Sequence, residues 1–161
     1  MPNPPRITIS LAMPDEIPEA IAIAKRAFSG LRTIYRPKRS IVIDQASQPD
    51  DVLRAVARIG RQPIGTVQYF LEPDRLYVFG LAVDAAHRHQ GVARDLLDFV
   101  DDACRQSART IVTLRTIRET GNVAIFERLG FQVVKEEIAD WCLSDQHPRL
   151  HEVHLERAVT P

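Results

Sequence analysis

Residues 76–93 read LYVFGLAVDAAHRHQGVA, and this stretch decides the fold. Its first part, Leu76 to Val83, carries no charge and is rich in aromatic and aliphatic residues, which predicts a buried strand. From residue 92 onward, charged residues fill one side of a helical pattern, and the apolar side is formed by Val92, Leu96, Val100, Ala103 and Cys104. The sequence therefore predicts that residues 84–91 lead from a strand into a helix.

The start of this predicted helix has the properties of a phosphate site. The first turn of a helix leaves about four backbone N–H groups without partners and carries roughly half a positive charge. Gly91 and Ala93 have almost no side chain, so a pyrophosphate can approach the backbone, and Arg88 offers a cation beside it. A tight turn with a surface arginine is the alternative that this stretch alone leaves open.

A second motif follows about thirty residues downstream, where residues 122–131 read NVAIFERLGF. Together with the Arg-x-x-Gly-x-Ala pattern of residues 88–93, it resembles the acyl-CoA signature and the Asn-x-x-x-Tyr-x-x-x-Gly-Phe segment of the GCN5-related N-acetyltransferase (GNAT) family. The clear resemblance covers roughly residues 64–134. It implies an enzyme that transfers an acetyl group directly from acetyl-CoA to a primary amine of a small molecule or peptide. Because family members often form dimers, it also implies a possible homodimer.

The order of predicted elements indicates an α/β fold with a mixed, mostly antiparallel central sheet and helices on both faces, which the resemblance also implies. Strands are predicted over residues 6–11, 52–59, 63–71, 76–83, 110–114, 131–134 and 150–159. Helices are predicted from an Asp15 cap to Gly30, from Val92 onward, and over residues 120–129. Residues 31–50 stay largely without a prediction, although Ile41-Val42-Ile43 could form a short strand. Residues 1–5 are predicted to be a flexible tail of one acetyltransferase domain spanning 1–161.

Composition agrees with one compact domain. Hydrophobic residues make up 45% of the 161 residues and charged residues 26%, and Lys+Arg equals Asp+Glu at 21 each. A formal charge of zero argues against nucleic acid or anionic membranes as partners.

Cys104 and Cys142 are the only cysteines, and we predict free thiols. Since neither a leader nor an apolar run of about 20 residues is present, the expected location is cytoplasmic.

The resemblance also implies which residues hold acetyl-CoA. In the family the cofactor lies between two strands that splay apart, and the stretch from Leu76 to Val83 corresponds to one of them. The residues expected to contact it are Leu81, Ala82, Val83, Arg88, His89, Gln90, Gly91, Val92, Ala93, Asn122 and Phe126. For Asn122 a helix N-cap is the alternative. Independently of the family, Gly80 inside a strand indicates a bulge or a close backbone approach.

Two departures from the family concern the chemistry. The family often places a glutamate base on the strand equivalent to residues 76–83. In this chain that strand contains no carboxylate, and Tyr77 is its only titratable side chain. Glu72 and Asp74 precede this strand and Asp84 follows it as a predicted turn cap, so no base is assigned.

Phe126 stands where the family commonly has a tyrosine thought to protonate the departing thiolate. A thiol pKa of about 8.5 makes unassisted departure cost roughly 2 kcal/mol. A non-catalytic acyl-CoA-binding or sensor module therefore stays as the alternative.

Other titratable motifs are given structural roles. The run His151-Glu152-x-His154 is one residue short of His-Glu-x-x-His and lies in a predicted strand, where positions 151 and 154 face opposite sides. We therefore predict no metal site. His87 and His89 flank the phosphate turn and are predicted to be solvated.

The acceptor side is less defined by sequence. Tyr35 and Trp141 lie in segments that usually wall the acceptor pocket in the family, and core or loop packing is equally open for both. Cys142 has no histidine partner in the local sequence, so we do not predict a nucleophile there.

Overall fold

The structure is a computed structural model that describes Asn3, residues 5–38 and residues 51–161. The predicted strand at Ile41-Val42-Ile43 and most of the predicted tail at residues 1–5 lie outside the described residues. No helix in the described part is both long and apolar enough to cross a membrane.

The described strands and helices follow the predicted order. The strands are β1 (Ile7–Leu11), β2 (Arg36–Pro37), β3 (Leu53–Ile59), β4 (Gln62–Leu71), β5 (Leu76–Val83), β6 (Ile111–Ile117), β7 (Gln132–Ile138), β8 (Cys142–Leu143) and β9 (His151–Ala158). The helices are α1 (Ile17–Ser29), α2 (Val92–Gln106) and α3 (Asn122–Arg128). Strands β6 and β7 run further than predicted, because polar residues that ended the predictions are tolerated where a strand faces solvent; every residue of β7 is exposed.

Seven strands form the central sheet in the order β1-β3-β4-β5-β6-β9-β7. Neighbouring strands are antiparallel except β5 and β6, which are parallel. The prediction of a mixed, mostly antiparallel sheet is therefore confirmed.

The sheet opens in its middle. Strands β5 and β6 are paired at Leu76 with Val112 and at Tyr77 with Thr113, and the described pairing stops there although both strands continue. On its other side β5 contains the predicted bulge, because Thr66 faces Ala82 whereas Gln68 faces Phe79. Gly80 lies in this bulge with a φ of +65°, and a Cβ there would lie 2.9 Å from Gln68 Oε1. The bulge thus falls in the part of β5 that no longer pairs with β6.

Helix α2 covers one face of the sheet. Its buried residues include Val92, Leu96 and Val100, which belong to the main hydrophobic core. Gly65 on β4 allows this close packing, since a Cβ there would lie 3.0 Å from Val92 Cγ1 and 3.2 Å from the Ala82 carbonyl oxygen. The position of α2, and with it the turn at residues 88–91, therefore depends on a glycine in the neighbouring strand.

Helix α1 covers the opposite face. It contacts β4 and β5, and Val56, Thr66 and Ala82 lie side by side on β3, β4 and β5 and are buried. Side chains of alternate strand residues point to opposite faces, so these three face away from α2. The prediction of helices on both faces is confirmed.

The predicted cap of α1 is wrong. A 3₁₀ turn at Pro14–Glu16 precedes the helix, and Glu16 rather than Asp15 occupies the N-cap position. The Glu16 carboxylate accepts the backbone N–H of Met13 at 2.9 Å and two guanidinium bonds from Arg58 at 2.6 and 2.8 Å. The bonds from Arg58 hold the pKa of Glu16 below its usual value. The long-range partner on β3 therefore outweighs the local preference for aspartate at a cap.

Candidate active site

The gap between β5 and β6 forms a cleft of about 450 Å³, here called the active-site cleft. Residues of β5 from Tyr77 to Leu81 line one wall, and residues of β6 from Leu114 to Ile117 line the other. Because β5 and β6 no longer pair along these walls, their backbone groups are accessible to a ligand that lies between them. The two ends of the cleft carry different chemistry.

The turn before α2 has the backbone shape of an anion site. His89 has a φ of +63° and Gly91 a φ of +83°. A Cβ on Gly91 would meet no atom within 4 Å, so the space in front of this helix N-terminus is open. Arg88 is exposed, and its Nε lies 3.5 Å from the Val83 carbonyl oxygen; it pairs with no carboxylate of the described chain. This combination suits a phosphate group.

Helix α3 contributes two residues to the active-site cleft, Asn122 and Phe126. The N-cap alternative for Asn122 is wrong, because Gly121 occupies the N-cap with a φ of +82°. The Phe126 ring is half-buried and meets the Phe131 ring edge-on, with centroids 5.9 Å apart. Phe126 therefore packs against the core and borders the cleft at once.

Tyr35 and Trp141 come together in the lining of the active-site cleft. Pairing of β2 with β8 brings their segments side by side, and the two rings meet at 88° with centroids 6.1 Å apart. Both rings also pack on a small apolar cluster that includes Ile117 and Leu150. Tyr35 and Trp141 therefore line the cleft and pack against the apolar cluster at the same time, so the two interpretations that the sequence left open do not exclude each other.

Glu152 on β9 is the site residue that sequence reasoning missed. It is the only carboxylate among the described residues that line the active-site cleft, and its side chain is 14% exposed. Trp141 Nε1 donates a hydrogen bond to Glu152 Oε2 at 3.0 Å. Arg115 Nη1 lies 3.9 Å from Oε1. The alternation of β9, with Val153 and Leu155 buried, was the available signal that Glu152 faces the other side.

Glu152 is the first of three titratable groups that lead to the surface. Its Oε1 lies 3.3 Å from His154 Nε2, which lies 3.1 Å from Oε1 of the exposed Glu137. The hydrogen bond from His154 holds the pKa of Glu137 below its usual value. His151 points away, as predicted, and pairs with Glu119 at 2.6 Å. The donor atoms of Glu137, Glu152 and His154 lie within 4.8 Å of one another, and the absence of a metal stays a prediction.

The chain matches a family of known proteins. The model of the acetyltransferase (GNAT) family matches residues 17–131. The chain belongs to the GNAT family. No curated protein matches this GNAT protein by sequence. The family shows it to be an enzyme, an N-acetyltransferase that uses an acyl-CoA donor, and the alternative of a non-catalytic module is not supported.

Solved structures agree with the fold of this GNAT protein. It is similar to the ribosomal-protein-S18-alanine N-acetyltransferase from Escherichia coli, with a TM-score of 0.74, 18% identity, and coverage of 97% of this chain and 96% of that chain. It is also similar to an acetyltransferase of the GNAT family from Staphylococcus aureus Mu50, with a TM-score of 0.69, 16% identity, and coverage of 96% of this chain and 100% of that chain. The comparison with nourseothricin acetyltransferase gives a TM-score of 0.70, 15% identity, and coverage of 96% of this chain and 99% of that chain. At these identities the likeness shows a shared fold.

The other carboxylates considered as bases lie outside the active-site cleft of the GNAT protein. Asp74 pairs with Arg75 at 3.2 Å, and Glu72 does not line the cleft. Asp84 occupies the predicted N-cap position of the 3₁₀ turn Ala85–His87, but its side chain makes no cap hydrogen bond, and its carboxylate lies 3.8 Å from Arg26. None of the three carboxylates therefore faces the cleft.

The remaining thiol and imidazole groups are not placed for catalysis. Burial raises the pKa of Cys142 to about 11, and Glu152 adds to the rise, so this thiol stays protonated at neutral pH. His89 is exposed, as predicted. For His87 the prediction is wrong, because its Nδ1 is buried without a partner among the described residues.

Proposed function

We propose that this GNAT protein transfers the acetyl group of acetyl-CoA directly to a primary amine of a small molecule or peptide. The observation that carries the proposal is that one cleft joins the opened edge of β5, from Tyr77 to Leu81, to the carboxylate of Glu152. The donor and the amine can thus meet inside a single cleft without a covalent enzyme intermediate. The proposed reaction does not use the Cys142 thiol.

The donor half of the proposal uses backbone groups. Leu81, Ala82 and Val83 lie beyond the last pair between β5 and β6, so their backbone would bond the pantetheine arm. Residues Arg88 to Ala93 would hold the pyrophosphate through the open turn and the N-terminus of α2. Asn122 and Phe126 would border the arm from the other side. Backbone N–H groups along β5 can also polarise the thioester carbonyl.

The acceptor half centres on Glu152. An alkylammonium with a pKa of about 10 must give up a proton before its nitrogen attacks the thioester carbon. We propose that Glu152 takes this proton and later releases it to solvent beside His154. The C–N bond then forms, the C–S bond breaks, and the second proton of the nitrogen ends on the sulfur or in solvent. Arg115 and the indole N–H of Trp141 hold the Glu152 carboxylate in place.

The same proposal covers the organisation of the chain. One sheet runs from β1 to β9, which supports a single acetyltransferase domain over residues 1–161. Cys104 and Cys142 are both free and buried, which supports a reducing compartment such as the cytoplasm. The possible homodimer stays a prediction, for which the exposed edge strand β7 is the natural surface.

Release of free thiol from acetyl-CoA in the presence of a panel of primary amines tests the proposed function. We expect release above the hydrolysis background with at least one amine. The matched control is the N,N-dimethylated form of that amine, which keeps the charge but has no N–H to lose and so cannot yield an amide, and it should give background release only. If acetyl-CoA binds and no amine in the panel raises thiol release, direct transfer to a primary amine is wrong.

Phe126→Tyr tests how the thiolate leaves. If the sulfur departs without a proton donor on the enzyme, a restored phenol can gain no more than roughly 2 kcal/mol, or about thirtyfold in turnover. We therefore expect a change below about thirtyfold, measured as kcat. Because Phe126 borders the cleft, the melting temperature should stay close to that of the wild type.

The control for this variant is Phe131→Tyr, the same change at a ring that is 2% exposed. Its unpartnered hydroxyl should cost about 1–3 kcal/mol of folding free energy. If Phe126→Tyr melts as early as Phe131→Tyr with unaltered turnover, residue 126 acts in the core alone. A gain in turnover well above thirtyfold would contradict this bound on the role of thiolate protonation.

A further inference from the structure

A second cleft of about 460 Å³ adjoins the active-site cleft and shares Phe28, Arg32 and Gln68 with it. We call it the α1 cleft, because most of its lining comes from helix α1. It carries the cations Lys25, Arg32 and Arg54, and no carboxylate is among the described residues that line it. A ligand that fills both clefts therefore meets a carboxylate at one end and cations at the other.

Arg54 is the group in the α1 cleft that most needs a partner. It is half-buried on β3, beside Gln68 in the register, and burial lowers the pKa of its guanidinium. Its one side-chain hydrogen bond within the described residues goes from Nη1 to Thr66 Oγ1 at 3.2 Å. A guanidinium has five N–H donors and stays charged, so a single neutral acceptor leaves most of its donors unsatisfied.

Other half-buried arginines of the protein are better satisfied. Arg58, Arg75 and Arg157 each contact a carboxylate, at 2.6, 2.7 and 2.8 Å. Arg109 donates to two backbone carbonyls, at 2.6 and 2.8 Å. Since a desolvated charge is costly without a partner, Arg54 is the half-buried arginine of the described residues whose donors remain available to an anionic ligand.

We propose that the acceptor amine carries an anionic oxygen group, a carboxylate or a phosphate, which binds Arg54 and Arg32 in the α1 cleft while the amine reaches Glu152. This inference rests on the proposed function and narrows its substrate to a zwitterionic class. Arg32 lines both clefts, so it lies where the anionic group enters. Lys25 adds positive charge at the rim, and Arg26 does not contribute because it pairs with Glu19 at 3.0 Å.

Matched acceptors test the substrate class. The first series compares aliphatic amino acids of increasing chain length, each with its carboxamide, and tests the carboxylate. The second series compares phosphoethanolamine with ethanolamine and tests the phosphate. The wild type should prefer the anionic member of at least one series by about tenfold or more in kcat/KM, the range of a charge-assisted hydrogen bond. Equal values for both members in every series would overturn the inference while leaving the proposed function intact.

Arg54→Gln assigns the preference to this residue. It should lower kcat/KM of the anionic acceptor about tenfold to a hundredfold more than that of its neutral counterpart, mainly through KM. Arg54→Lys, which keeps the charge, should retain part of the preference. Arg61→Gln in the exposed turn between β3 and β4 lies outside both clefts and should leave it unchanged. An undiminished preference in Arg54→Gln would show that the anion binds elsewhere.

Direct binding separates this inference from a failure of the proposed function. If no amine is acetylated, inorganic phosphate is titrated by calorimetry into the acetyl-CoA-saturated wild type and Arg54→Gln. Phosphate binding that the variant loses, with acetyl-CoA affinity and melting temperature kept, supports the anion site alone. Equal binding, or none, in the two proteins overturns it.

Discussion

Gly91→Glu should weaken acetyl-CoA binding by at least about a hundredfold, measured by calorimetry. Two effects add. An L-residue at the φ of +83° that Gly91 adopts is strained by about 1–2 kcal/mol. The new carboxylate also faces the space in front of α2, where the phosphates would lie, and repels them by about 1–4 kcal/mol at 4 Å.

Gly60→Glu is the control for this prediction. Gly60 lies in the turn between β3 and β4 and has a φ of +59°, and a Cβ there would likewise meet no atom within 4 Å. The variant therefore carries the same backbone strain and added charge away from the cleft. We expect a similar loss of stability and unchanged binding. If Gly91→Glu binds acetyl-CoA as tightly as the wild type, the phosphate site lies elsewhere.

Glu152→Gln should lower kcat about a hundredfold to ten-thousandfold, the usual contribution of a general base, with little change in the KM of acetyl-CoA. The amide oxygen can still accept the Trp141 hydrogen bond, so the wall of the cleft is kept. The residual rate should climb with pH as the acceptor loses its own proton, up to a pKa of about 10. A pH series of single-substrate kinetics gives both readings.

Glu119→Gln is the matched control for Glu152→Gln. Glu119 is also a half-buried carboxylate paired with a histidine of β9, His151, but it does not line the active-site cleft. Its loss should affect the melting temperature more than turnover. If kcat of Glu152→Gln stays within about threefold of the wild type, with the pH profile unmoved, Glu152 only supports Trp141 and another group removes the proton.

The donor side of this protein was largely predictable from the sequence because its signals are local. The positive φ of Gly91 and the bulge at Gly80 follow from glycines whose neighbours show where a strand or helix begins. The pairing of Asn122 with Phe126 on one helix follows from their spacing of one turn. Local signals failed for Asp15, where a long-range ion pair of the neighbouring Glu16 prevailed over the local preference, and for His87, whose Nδ1 is buried.

The acceptor side depends on strand order, which distant segments decide together. Register places Glu152 between Ile117 of β6 and Glu137 of β7, and the chain order β6, β7, β9 does not reveal that β9 lies in the middle. Arg54 likewise shares the α1 cleft with Arg32 only because α1 lies on the face of the sheet opposite α2 and contacts β4, the neighbour of β3.

The sequence by itself therefore determined the family, the sheet with its two helical layers and the strand-to-helix turn at residues 84–91, since periodicity and glycine placement are set by residues close in the chain. Only the tertiary structure decided which carboxylate faces the amine and which arginine lacks a partner, because burial and ion pairing are properties of side chains that the fold brings together.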